Sequence, residues 1–218
     1  VIDDFRFYPV VVVGTGPSLS NEQCNQIMQR RRENCCRVIV VNNAYRYVRN
    51  ADALYAADFN WWKEHDGLIA NIDKKPGINA LCPAIARFCP EPAAIRAYKT
   101  QMVRIDAGSR GIAPEGKGVR RGSGSGFQAV GLAILLGAKR IVLVGMDCKR
   151  GPKGEIHVHG EHKHPLRNDQ PLNTWKEEFD SLEGDSAALG IDIANCTIDT
   201  AIHRIRRSTL ERELFHHD

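Results

Sequence analysis

Four histidines crowd into residues 157–164: His157, His159, His162 and His164. Side chains two apart in an extended stretch leave the backbone on one side, so His157 and His159 would present both rings to the same face. Spacings of two, three and two residues, with Asp147 and Glu161 near in sequence, make a donor set that suits a divalent ion. The plain alternative is a solvated polar hairpin turned by Gly151, Pro152 and Gly154. Spacing alone assigns no metal site.

Glycines mark the other chemistry. The run Val10-Val11-Val12-Val13 ends in Gly14-Thr15-Gly16-Pro17-Ser18. Gly14 and Gly16 admit a close approach of backbone to ligand. Pro17 and Ser18 lead toward a helix whose free N–H groups favour an anion. A dinucleotide fingerprint would need glycine at position 19, where this chain has Leu19. The stretch from Gly111 to Gly118 nearly spells a triphosphate-binding loop, but Gly118 lacks the hydroxyl that would hold Mg²⁺. Gly122-Ser123-Gly124-Ser125-Gly126 opens an apolar helix and is a second candidate anion cradle.

These residues need elements to hold them. Residues 10–13, 37–41, 53–57, 102–105, 140–144 and 191–194 read as strands. Residues 21–33 read as a helix started by a Ser20/Gln23 capping box, and Asn60 as the cap of a short helix containing Trp61 and Trp62. Helices are also expected over 125–136, stopped by Gly137, and over 173–189, capped by Asn173 and stopped by Gly190. Trp175 is expected to pack rather than to stack on a ligand. Residues 70–100 read as irregular with short helices, 108–124 as a long mobile loop, 149–172 as a polar histidine-rich insertion, and the basic tail as a helix.

Apolar strands alternating with helices predict a doubly wound α/β fold, a mostly parallel sheet with helices on both faces, as a single domain over 1–218. Ligands of such sheets bind beyond the carboxyl ends of the strands. Those ends carry Gly14 to Ser18, Asn42-Asn43, Asp58 and Gly145-Met146-Asp147.

Composition narrows the class. The chain has 218 residues, 43% hydrophobic and 26% charged, enough for one sizeable core. A net charge of +4 does not by itself call for nucleic acid. Seven cysteines, an odd number with no Cys-x-x-Cys, fit neither a disulfide framework nor a zinc ribbon. No apolar run is long enough for a membrane span and the first residues are acidic, so a cytoplasmic protein with no membrane partner is expected.

The combination of Gly14-Thr15-Gly16-Pro17-Ser18-Leu19, Asn42, Ser125-Gly126 with its helix, and Gly145-Met146-Asp147 resembles the sialyltransferase-like superfamily. That group includes CMP-sialic-acid-using glycosyltransferases of family 42, motility accessory factors and archaeal 6-hydroxymethylpterin diphosphokinases. Over nearly the whole chain the pattern is similar to tailed-phage proteins of the same type, which would place the chain in a host cytoplasm. The resemblance implies a Rossmann-like fold and a nucleotide held by Gly14, Gly16, Asn42, Ser125 and Gly126. Thr15 stands where the family has asparagine, Asp58 near another expected asparagine, and Asp147 at the family's strand-end aspartate.

In the transferases a histidine after that aspartate takes the acceptor proton, which makes His159, His162 and His164 the candidates here. The leading expectation is nucleotide-sugar-dependent glycosyl transfer. The nucleotide phosphate would lie against Gly14 to Ser18 and Ser123 to Gly126, and Arg120 or Arg121 would neutralise the leaving group. Closure of residues 108–122 would gate release. The acceptor is left open between DNA, glycan and small molecule, and a homo-oligomer is allowed. One alternative is Mg²⁺-dependent phosphoryl or diphosphoryl transfer with the ion on Asp58 and Asp147. The other is a non-catalytic accessory protein on the same fold.

Overall fold

Val10, Val11, Val12 and Val13 are all fully buried, as a strand covered on both faces requires. A computed structural model describes residues 5–65, 86–162, 166 and 171–215 of the chain. In it β1 (Pro9–Val13), β2 (Arg37–Val41), β3 (Ala53–Tyr55), β4 (Ala86–Cys89) and β5 (Gln101–Met102) run outward in order from β1. Two-residue β6 (Ile105–Asp106) and β7 (Val119–Arg120) form a separate parallel pair. The chain then returns to the other side of β1 with β8 (Arg140–Val144), β9 (Asp192–Asn195) and β10 (Arg206–Arg207). The main sheet reads β10-β9-β8-β1-β2-β3-β4-β5, and every pairing is parallel.

The pleat divides the core in two. Val10, Val12, Ile39, Tyr55 and Leu143 face a layer containing α4 (Ser125–Leu135) and α5 (Leu172–Asp180). Val11, Val13, Val38, Leu54 and Val144 face α1 (Asn21–Arg32), α2 (Phe59–Glu64) and α3 (Pro92–Tyr98). The expected doubly wound α/β class is therefore observed. No helix among the described residues is long and apolar enough to cross a membrane.

Several local expectations change. The short helix is capped by Asp58 rather than Asn60, because Asp58 Oδ1 accepts the Asn60 N–H at 2.7 Å. Ser20 does cap α1, accepting from Gln23 N at 3.1 Å, but Gln23 sends its Nε2 to the Cys196 carbonyl instead of back to the cap. Residues 102–105 are not one strand: β5 closes the large sheet and β6 starts the small one. The 173–189 helix begins at Leu172 and breaks at Ser181 before α6 (Leu182–Ala188). There the Ser181 hydroxyl donates to the Glu178 carbonyl at 2.6 Å and accepts Gly111 N at 2.7 Å. The tail contains β10 before its helix α7 (Leu210–Phe215).

The glycine-rich stretch 108–124 carries β7 and is tied down along its length. Arg120 pairs with Asp106, Arg110 with Glu177, and Ile112 N donates to Asp185 at 2.7 Å. Gln128, buried on α4, accepts the Tyr55 hydroxyl at 2.6 Å and donates to the Arg121 carbonyl. Tyr55→Phe would strand the Gln128 oxygen in the core. It is expected to cost about 1–2 kcal/mol in denaturant unfolding. An unchanged midpoint and slope would mean the pair is not formed.

Candidate functional site

The strand order reverses between β1 and β8, and a cleft of about 910 Å³ opens at their carboxyl ends. Gly14, Thr15, Gly16, Asn42, Asp58, Ser123 to Gly126 and Asp147 all contribute to its lining. Fold topology thus gathers residues scattered over more than 130 positions. Asn42 and Cys148, also in the lining, hold the left-handed region at φ 48° and 51°. Such backbone persists only where surrounding contacts fix it.

The first glycine loop is closed on itself. Gly14 N donates to the Val144 carbonyl and Gly16 N to the Gly145 carbonyl, both at 2.8 Å. Ser18 N donates to Asp147 Oδ2 at 2.8 Å. A carboxylate of the chain therefore occupies the place expected for a bound phosphate at this loop, and these three N–H groups are not free to cradle an anion. Ser18 Oγ is engaged by Asp199 N at 3.2 Å, and neither Pro17 nor Ser18 lines the cleft. Asp147 is buried, with Oδ1 against Gly16 and without a hydrogen-bond partner. Burial pushes its pKa up to about 6, against the opposing pull of the Ser18 bonds.

The second glycine stretch is built differently. Helix α4 starts after Gly124, no side chain caps it, and Ser123 to Gln128 all line the cleft. Ser125 Oγ is engaged by the Ala57 N–H at 3.2 Å, which joins this helix to the end of β3. Trp175 lies over Gly124, its indole Nε1 2.9 Å from where a Gly124 Cβ would sit, and Nε1 is buried without a partner. Uncapped helix N–H groups and an unpartnered indole N–H thus meet at one spot. Glu178 sits behind them against Ser123, its pKa raised by burial.

Positive charge comes from residues other than those expected. Arg120 is spent on Asp106, and the exposed Arg121 side chain does not line the cleft. Lys149 and Arg150, two and three residues after Asp147, do; Lys149 Nζ contacts Asp199 at 2.5 Å and Arg150 Nη1 the Gly154 carbonyl at 2.8 Å. Two adjacent cations shortly after a strand-end aspartate were the available sequence signal.

The histidines form a half-buried wall. His157 and His162 line the cleft, whereas His159 does not. His157 Nδ1 is 3.1 Å from Thr15 Oγ1, and His157 Nε2 is buried without a partner. His159 Nε2 meets Asn43 Nδ2 at 3.1 Å, and Asn43 Oδ1 accepts the Trp61 indole N–H at 3.0 Å. Asn43 therefore backs the wall instead of meeting the cleft. Burial, then the neighbouring imidazoles, lowers the His157 pKa to about 3; burial with His162 and Arg46 lowers that of His159 to about 4. His164 lies outside the described residues. His157 was expected in the histidine donor set and not as the base; Thr15, one of the expected cleft residues, supplies its partner.

Fold and cleft together define a doubly wound α/β protein with a cleft at the switch point of the sheet. A solved structure shares this fold: the MAf glycosyltransferase from Magnetospirillum magneticum AMB-1 aligns over 92% of this chain with a TM-score of 0.57 at 13% sequence identity. The chain spans 33% of that protein's length. Motility accessory factors are among the proteins that the strand-end motifs resemble. No family model matches the chain, and no curated protein does.

Proposed function

We propose that the cleft binds a nucleotide-sugar and that the chain transfers its glycosyl group to a hydroxyl acceptor. One observation carries this reading: the uncapped N-terminus of α4, with the Trp175 indole N–H, opens into the cleft at the sheet's switch point. Helix N-terminal N–H groups favour the phosphate of a nucleotide. Lys149 and Arg150 would offset the charge of the leaving nucleotide. Asn42 and Asp58, farther along the strand ends, would meet the ribose or base. The acceptor hydroxyl would approach the histidine wall, which takes up its proton. DNA, glycan and small-molecule acceptors all have such a hydroxyl. The fold shared with a named glycosyltransferase supports the assignment.

The Mg²⁺-dependent alternative is less well served. Asp58 Oδ1 accepts the α2 cap N–H and Asp147 Oδ2 accepts Ser18 N, and the remaining Asp147 oxygen is buried against Gly16 rather than turned to the cleft's open space.

The test is calorimetric titration with CMP, UDP, GDP, their sugar conjugates and ATP, in chelator and then with Mg²⁺. One nucleotide or its sugar conjugate is expected to bind without metal. Ser125→Asp should weaken that binding at least tenfold, because a carboxylate at the first helical position takes the phosphate's place. The melting temperature should hold, since an acid there suits the helix dipole. Absence of nucleotide binding, or unchanged affinity in the variant, would remove the reading; binding of ATP only with Mg²⁺ would replace it with phosphoryl transfer.

A further inference from the structure

The wall holds more imidazole than one proton acceptor needs. His157, His159 and His162 each offer a ring nitrogen, and the three atoms lie within 4.8 Å of one another. The His157 and His159 rings are 5.1 Å apart and nearly parallel, at 7°. The His162 ring stands edge-on to both, 4.8 Å from each. A fourth ring, His65, is stacked on Trp61 at 4.2 Å and bonded to its carbonyl, so it serves the core.

One of the three rings, His157, is already oriented from behind, and a second, His159, has its acceptor nitrogen defined. With Nδ1–H given to Thr15 Oγ1, His157 carries its lone pair on Nε2, which is buried and meets no donor. Trp61 fixes the Asn43 amide so that its N–H faces His159 Nε2, which makes that nitrogen an acceptor as well. Metal-binding imidazoles are oriented as His157 is, by a hydrogen bond on the nitrogen that does not bind; at His159 the Asn43 N–H instead sits on the lone pair that the ion would take. Imidazoles bind metal only in the unprotonated form that these contacts select.

The geometry points to a site for one divalent transition-metal ion of the Zn²⁺ type, held by His157, His159 and His162, with a remaining position open to the cleft. Three nitrogen donors suit Zn²⁺ and its neighbours, whereas Mg²⁺ and Ca²⁺ take oxygen ligands. Ligand nitrogens around a tetrahedral ion stand about 3.4 Å apart for bonds of about 2.0–2.1 Å. The rings must therefore draw in by roughly 1 Å, with the ion replacing the Asn43 N–H at His159. Arg46 is the cation that faces His159 and His162; its guanidinium is turned to the Tyr45 hydroxyl at 3.3 Å and to His65 at 3.4 Å. The ion site stands apart from the transfer reading. One consequence does rest on that reading: a hydroxide on the ion, rather than a bare imidazole, would take the acceptor's proton and become water.

The test uses the full chain stripped by chelator, titrated with Zn²⁺ by calorimetry and with Co²⁺ by visible absorption. One equivalent is expected, with the intense d–d bands of a four-coordinate Co²⁺ site. His157→Asn and His162→Asn should each weaken binding by 100-fold or more, and Thr15→Val by about tenfold. Circular dichroism of each variant separates loss of ligand from loss of fold. The native chain alone decides the matter if the variants fail: no stoichiometric uptake, or Co²⁺ bands of an octahedral aquo ion, overturns the site. Equal affinity in a folded His157→Asn/His162→Asn double variant overturns it too and moves the ion to other histidines. Nucleotide binding in chelator is scored separately, so either reading can fall without the other.

Discussion

Gly16→Ala is expected to lower the unfolding free energy by about 3 kcal/mol or more and to abolish nucleotide binding. A Cβ at this position would lie 2.0 Å from Asp147 Oδ1 and 2.8 Å from the Gly145 carbonyl oxygen. Atoms do not approach so closely, so something must move. Asp147 is pinned by Ser18 N, and the Gly145 carbonyl is pinned by Gly16 N itself. The carboxyl ends of β1 and β8 would have to part, and they form the floor of the cleft. For a chain of this length the loss corresponds to a fall in Tm of roughly 6–12 °C. Pairing Gly16→Ala with Asp147→Ser should recover part of the loss, because it removes the nearer clash and leaves the carbonyl. A Gly16→Ala protein with native Tm would show that the two loops do not sit back to back.

Asp147→Asn is expected to stabilise the chain at neutral pH and not in acid. Burial raises the folded-state pKa of Asp147 to about 6, from an ordinary 3.8. The sign follows from linkage: the stability this group contributes is complete below about pH 4 and is lost as pH rises through 6. About two pKa units at roughly 1.4 kcal/mol each set a ceiling near 3 kcal/mol. Asparagine keeps an oxygen for Ser18 N and carries no charge. Unfolding of both proteins at pH 4 and pH 7.5 should therefore show their difference shift by about 2–3 kcal/mol toward the variant. A difference that does not change with pH would mean that the carboxyl reaches water.

The long apolar runs told most of the fold. Residues 10–13, 37–41 and 140–144 read as buried strands because both faces are covered, and their Gly, Asn and Asp ends marked the cleft. Strand β4 was not legible: Ala86-Arg87-Phe88-Cys89 is short and carries a charge, and its pairing with β3 and β5 is what makes it a strand. The break at Ser181 was hidden, since the contact its hydroxyl makes there is with Gly111 N, seventy residues away. The site was legible by position and less so by role. Gly14-Thr15-Gly16-Pro17-Ser18 looks like an anion cradle until Asp147, distant in sequence, is seen filling it. Arg121 looked available for the same reason, since nothing local shows which way a loop arginine turns. His157 and His159 do not lie in an extended stretch: Gly160 N closes a turn onto the His157 carbonyl at 3.0 Å, and the two rings stack across that turn rather than by strand alternation. Yet one lines the cleft and the other backs onto Asn43, a difference set by neighbours from β1 and the end of β2.

The sheet's outermost strands, β5 and β10, are each two residues long, Gln101–Met102 and Arg206–Arg207. A parallel sheet of this width could offer another chain a long ladder of unpaired amides at either side. Here there is almost no ladder to join, and at β10 an incoming strand would meet two arginines, one of them paired with Asp192 and Glu213. Among the described residues, the two ends of the main sheet therefore offer little for edge-to-edge pairing.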